Sequence, residues 1–108
     1  MTSHPPGRRA WPLRRFVVAD RSMEPTLVAG QGLIGFRSGR VKAGELRCVE
    51  HPDRSGFWLV KRVTDVDGAT MSVASDNDDV PTVDSRQFGP VRIDGSYRVI
   101  VRIPRRWM

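Results

Sequence analysis

Two side chains in this sequence have the types and settings that nucleophilic catalysis uses. Ser22 lies in the turn RSMEPTL (21–27), and Lys61 lies in the apolar run FWLVKRV (57–63). A serine hydroxyl is a weak nucleophile until a neighbouring base takes its proton. Strand alternation over 57–63 sets Trp58, Val60 and Arg62 on one face and Leu59, Lys61 and Val63 on the other. Lys61 is therefore flanked on its own face by two large aliphatic side chains. If that face is buried, desolvation disfavours the ammonium and lowers its pKa from ~10.4, by up to several units. The free amine is then a general base near neutral pH. The pattern alone also allows an edge-strand lysine whose stem lies along the sheet and whose charge stays in water. Ser22 alone is equally an ordinary turn or cap residue.

Other bases are scarce. The chain has two histidines, His4 near the N-terminus and His51 before Pro52, and neither is placed for a Ser-His-Asp triad. His51 reads as a solvated loop residue. No His, Cys, Asp and Glu cluster at metal-ligand spacing, and no glycine-rich phosphate loop is present, so neither metal nor cofactor is expected. The single cysteine, Cys48, stands three residues from His51. On a strand that spacing turns the two side chains to opposite faces, so Cys48 reads as a small buried hydrophobe.

The elements that must position Ser22 and Lys61 read as strands. Residues 16–20 (FVVAD) form a first strand, and Pro25 keeps Met23 and Glu24 out of a settled helix. Further apolar runs fall at 32–36, 46–50, 57–66, 70–74 and 97–103. Asp67-Gly68 between two of them is a hairpin signal. Nowhere do apolar residues hold a 3.6-residue period over three turns. The expected architecture is all-β (mostly β): a compact twisted antiparallel sheet or partly closed barrel, in one domain over 16–108. Residues 1–15, rich in proline and arginine, read as a flexible basic leader.

Charge narrows the partners. Lys plus Arg number 18 against 12 Asp plus Glu, a net +6. The arginines crowd both ends, at 8–9 and 14–15 and again at 98–106, a distribution that favours loose anionic contacts over specific recognition. No helix-turn-helix, zinc finger or aromatic-studded basic strand accompanies them, so specific nucleic-acid binding is not expected. The apolar run after the N-terminal arginines is too short for a signal-peptide core, and no stretch reaches the ~18 apolar residues of a membrane span. With one cysteine no internal disulfide can form, which suits a reducing compartment. A cytoplasmic location is expected.

Taken together, RSMEPTL (21–27), LVKRV (59–63) and SDNDDVPTVDSRQFGPV (75–91) resemble, in order and spacing, the three motifs of type I signal peptidases: the nucleophile box, the lysine strand and a Gly-Asp-Asn…Asp-Ser-Arg box. The likeness covers about residues 16–103. It implies a mostly-β core of the signal peptidase/LexA catalytic type, a serine endopeptidase with a serine–lysine dyad, and no cofactor. Ser22 would attack the scissile carbonyl, with its own N–H facing the oxyanion, and Lys61 would be the base. Thr82 would orient the lysine, Met23 and Pro25 would shape the nucleophile turn, and Asp84 and Arg86 would pair to brace the third box. The wording SMEPTL and DSRxFGPV is most similar to the nickel-type superoxide dismutase maturation proteases. That likeness implies a precursor protein as partner, bound as an extended peptide and trimmed of an N-terminal extension. Self-cleaving LexA-type repressors share the dyad, but the 21 residues before Ser22 leave no room for their DNA-binding domain. Two positions depart from the pattern. Ser75 replaces the first glycine of the third box. Asp20 stands where the family often has a serine or small residue beside the oxyanion, so its carboxylate points away, is protonated, or marks an altered or inactive site.

Overall fold

The structure, a computed structural model, describes residues 12–81 and 83–108. Seven strands follow one another: β1 Leu13–Val17, β2 Gly32–Arg37, β3 Leu46–Glu50, β4 Trp58–Asp67, β5 Thr70–Ala74, β6 Val91–Arg92 and β7 Tyr97–Ile103. They form one antiparallel sheet in the order β1-β2-β7-β3-β4-β5-β6. The sheet stays open, with β1 and β6 at its edges, so the twisted sheet holds and the partly closed barrel does not. One helical turn, α1 (Ser85–Phe88), precedes β6, and a 3₁₀ turn spans Arg105–Trp107.

The apolar runs expected as strands are strands, with ends shifted by a residue at most. The first is the exception. It begins at Leu13, inside the stretch whose composition reads as leader, and ends at Val17. The arginines hide it. Arg14 and Phe16 turn to the covered face, where the Arg14 guanidinium lies 4.5 Å from the centre of the Trp58 ring and 5.0 Å from that of Phe16. An arginine stacked on aromatic rings is a strand residue in spite of its charge. After Val17 the chain leaves the ladder, and the N–H of Val18 bonds the carbonyl of Gln31 at 2.9 Å. Residues 18–31 are thus the long connection of the β1–β2 hairpin, and Ser22 sits on it. Residues 1–11, most of the expected leader, lie outside the described residues.

Two apolar clusters flank the sheet. One gathers Val18, Met23, Leu27, Leu33, Leu46, Cys48 and Tyr97, with Phe16, Trp58, Val60 and Val99 against it. The other gathers Val49, Leu59, Val63, Met71, Val73, Val91 and Ile93. Strand β4 has a side chain row in each, so the Lys61 row is covered rather than washed by solvent. Gly35 is required where the first cluster closes: a Cβ there would lie 2.7 Å from the Cβ of Tyr97 and 3.2 Å from the Phe16 ring. At the Asp67-Gly68 hairpin, Gly68 has φ +60°, the left-handed conformation that glycine adopts at little cost.

Candidate active site

Three segments meet at Lys61. The lysine projects from the middle of β4 between Leu59 and Val63, with 2% of its surface exposed. Its Nζ lies 3.0 Å from the Oγ of Ser22 and 2.8 Å from the Oγ of Ser75. Ser22 comes from the β1–β2 connection and Ser75 from the end of β5. The register explains Ser75: Arg62 pairs with Ala74 across the β4–β5 ladder, so Ser75 falls beside Lys61 at the next step, on the row of Met71 and Val73. Burial pulls the Lys61 ammonium below its ordinary pKa, and Arg86 adds to this. Asp20 and Asp84 oppose it without reversing it. The group has what a general base needs, a proton acceptor within reach of a hydroxyl and a pKa moved toward neutrality.

The Ser22 turn is held from both sides. Met23 and Leu27 are fully buried in the first cluster, and the Leu27 N–H bonds the Met23 carbonyl at 2.9 Å. The Glu24–Pro25 peptide is cis and Pro25 is exposed. Met23 thus anchors the turn by burial, and Pro25 forms its bend. From the third box, the Asn77 N–H donates to the Ser22 carbonyl at 2.9 Å, and the Asn77 amide donates to the Arg21 carbonyl, also at 2.9 Å. Asp76 adds a second strap. It receives the Arg62 guanidinium at 2.9 and 2.7 Å and the Thr26 hydroxyl at 2.6 Å. Asn77 and Asp76 had no assigned role in the sequence reading. Their signal was their place in the Ser-Asp-Asn triplet directly after a strand.

Asp84 and Arg86 do pair, with Arg86 Nη2 2.8 Å from Asp84 Oδ2. Asp84 also caps α1 through the Arg86 N–H, with Gln87 completing the capping box, and accepts the Ser75 N–H at 3.0 Å. Burial pushes the Asp84 carboxyl up. Arg86 and the two backbone donors outweigh that and hold it down at about 2. The carboxylate therefore braces Ser75, the hydroxyl that meets the lysine. Thr82, expected in that role, lies outside the described residues; Ser75, read only as a departure from a glycine, is the hydroxyl placed on Lys61.

Asp20 does not point away. Its Oδ1 accepts the Ser22 N–H at 3.0 Å, which is the donor expected to face an oxyanion. Nor is protonation favoured. Burial raises its pKa, but the Ser22 N–H, the Ser22 hydroxyl and Lys61 together bring it below the ordinary value. The carboxylate thus occupies the Ser22 N–H.

Beside Ser22 and Lys61 lies an apolar slot of about 130 Å³ between the end of β1 and the start of β4. Phe16, Val18, Leu33, Trp58 and Val60 wall it, and Ser22 and Lys61 stand at its edge. Cys48 lines it too, and burial pushes its thiol up to about 12, so it is a wall and not a nucleophile. His51 is far from this chemistry in kind: it packs on Phe57 and Phe88, with ring centres 6.0 and 5.0 Å away. Among the described residues no group of three His, Cys, Asp or Glu could hold a metal ion, and no helix is long and apolar enough to cross a membrane.

Comparison with known proteins adds no relative: no family model, no curated protein and no solved structure matches this chain.

Proposed function

We propose that the protein is a serine endopeptidase in which Ser22 is the nucleophile and Lys61 the general base. The observation that carries this reading is the buried pair itself: a lysine amine stripped of water, 3.0 Å from a serine hydroxyl on an anchored turn. A structural lysine on a sheet would keep its charge in solvent. This one faces two hydroxyls, and burial pulls its pKa down.

The chemistry follows. Neutral Lys61 accepts the Ser22 proton as Oγ attacks the scissile carbonyl. Ser75, fixed by Asp84, keeps Nζ aimed at that oxygen. The resulting ammonium returns its proton to the leaving amine as the C–N bond breaks, leaving an ester on Ser22 Oγ. Water, deprotonated by the same amine, hydrolyses the ester. The slot takes a small apolar side chain next to the cut, and the main chain of an extended peptide is held along a strand. The resemblance of the three boxes makes a precursor protein with a removable N-terminal extension the substrate class, with the nickel-type superoxide dismutase precursor first among those to try. A single cysteine and no disulfide suit work in the cytoplasm.

Incubating the chain with such precursors and reading new N-termini by mass spectrometry tests the proposal. Cleavage by wild type and none by Ser22→Ala is the expected result; equal cleavage by Lys61→Ala would remove the dyad. One observation favours a second reading, a peptide-binding module without turnover: the Asp20 carboxylate on the Ser22 N–H. Tight binding of a precursor with no cleavage over days would select it.

A further inference from the structure

A second cleft lies along β7. Strand β7 is paired with β2 along its whole length, but with β3 only at Tyr97 and Arg98. Beyond that point, residues 99–103 diverge from the start of β3 and leave one edge of β7 without a partner strand among the described residues. The gap is a cleft of about 400 Å³, bounded by Gly44–Leu46 on one side and Arg98–Arg102 on the other, with Arg62 at its wall.

Its charge is one-sided. Arg62 is neutralised by Asp76, and Glu45 by Arg47, whose Nε lies 2.7 Å from Glu45 Oε2. Arg98 and Arg102 add to the positive charge. Both are exposed. Arg102 also acts on the Asp76 carboxylate, so one carboxylate serves two arginines and the wall keeps a positive excess. The ladder shifts register where Gly35 meets Val99 and Ile34 meets Val101, so Ile100 is an extra residue. Cross-strand partners share a face. Arg98, opposite Phe36, and Arg102, opposite Leu33, therefore lie toward opposite faces of the sheet. A strand laid against this edge meets a guanidinium on each face.

We infer that this cleft is an exosite for an extended acidic peptide segment, a part of the substrate away from the scissile bond. The inference rests on the endopeptidase reading for its purpose but not for its geometry. Free strand edges pair with main chain, and arginines in excess over carboxylates select acidic partners. The cleft lies close to the dyad: Arg62 grips Asp76, Asp76 receives the Thr26 hydroxyl, and Thr26 is four residues from Ser22 on the same turn. No aromatic ring lines the cleft to stack a base, which favours peptide over single-stranded nucleic acid.

The test uses the full chain with Ser22→Ala, so that binding is read without cleavage. The probes are a short labelled peptide alternating Asp and Val, its Lys counterpart, a single-stranded oligonucleotide and phosphatidylglycerol vesicles. Binding of the Asp peptide alone, weakened at least about tenfold by Arg98→Glu with Arg102→Glu, and by less with glutamine at both, supports the exosite. Arg92→Glu, on the opposite edge strand, is the control and leaves binding unchanged. An equal loss in that control, no loss in the double variant, or tighter binding of oligonucleotide or vesicles overturns it. A circular dichroism spectrum checks that the double variant is folded. The two readings fail separately: if wild type cuts acidic-flanked and neutral precursors with equal kcat/KM, the exosite falls and the peptidase stands. If the acidic peptide binds and nothing is cut, the reverse holds.

Discussion

Asp84 holds the backbone N–H of Ser75 at 3.0 Å, and through it fixes the hydroxyl that lies 2.8 Å from Lys61 Nζ. The carboxylate never touches the lysine, yet it sets where the lysine points. Asp84→Asn weakens the charge-assisted bond to Ser75, an interaction worth about 1.5–3 kcal/mol. The expected result is a lower urea midpoint and a kcat about tenfold down, with KM little changed. Ser75→Ala should lower kcat further, and Ser75→Thr should restore part of it; if Ser75→Ala cleaves like wild type, the hydroxyl has no positioning role. Acid tests the same carboxyl. Its pKa is depressed to about 2, so its stabilising effect is complete above its unfolded value of ~3.9 and is lost as pH falls from there toward 2.

Stability rises with pH through the Lys61 window as through the Asp84 one, but the charged form has the opposite effect: ionised Asp84 stabilises the fold, whereas charged Lys61 destabilises it. Its folded pKa lies below its unfolded value because burial penalises the ammonium. Between the folded value and ~10.4 the unfolded chain binds more protons, so stability of the wild type rises with pH through that window. Lys61→Met removes the buried charge while filling the space. It should abolish cleavage and raise stability at neutral pH, and the gain over wild type should shrink as pH climbs to ~10.4. The pH–rate profile of the wild type should show a base titrating well below that value. A Lys61→Met chain that is less stable at every pH would mean that the lysine is a structural tie, not a stored base.

Most of the sheet was legible because strands announce themselves by alternation and turns by Gly, Pro and Asp. The runs at 46–50, 70–74 and 97–103 are strands to the residue. Alternation likewise set Lys61 on the row of Leu59 and Val63, but it left open whether that row is covered or solvated. β1 was not, since its arginines read as leader until Arg14 is seen stacked on Trp58. Ser75 and Asn77 were not either. Alternation can put Ser75 on the row of Met71 and Val73, but only the β4–β5 register sets it opposite Lys61. Asn77 acts through carbonyls that no sequence pattern places. Arg47 was read only as part of a strand. It is fully buried, with its guanidinium bound to Glu45, Ser96 and the carbonyls of Ser38 and Arg40. Such closure of a charge by distant loops exists only in the fold.

Asn77 gives a sharper test of how the nucleophile turn is held. Its amide bonds the Arg21 carbonyl at 2.9 Å and its Oδ1 accepts the Asp79 N–H at 2.9 Å. Asn77→Ala loses both but keeps the main-chain bond to Ser22. The fold should survive with a cost of about 1–3 kcal/mol. Loosening of the turn should appear as a kcat several-fold lower at unchanged KM. Asn77→Asp keeps the acceptor and loses the donor, so activity like wild type in that variant would assign the role to the Asp79 bond instead.

On the proposed mechanism, Asp20 decides whether the site turns over freely. Its carboxylate takes the Ser22 N–H at 3.0 Å, so a developing oxyanion must displace a negative charge to reach that donor. Asp20→Ser replaces the carboxylate by a hydroxyl that can itself donate. A single oxyanion donor is worth about 10²–10³ in kcat, and the variant should gain part of that factor. The pH profile should move as well. Asp20 raises the Lys61 pKa by its charge, so its removal lets that pKa fall and extends activity to lower pH. Asp20→Ala separates the two effects, because it removes the charge without supplying a donor: the pH shift should persist and the gain in kcat should be smaller. If both variants lose activity by tenfold or more, Asp20 is no obstacle. It would then serve as the counter-charge to the ammonium formed on Lys61, and the oxyanion would be met by another donor.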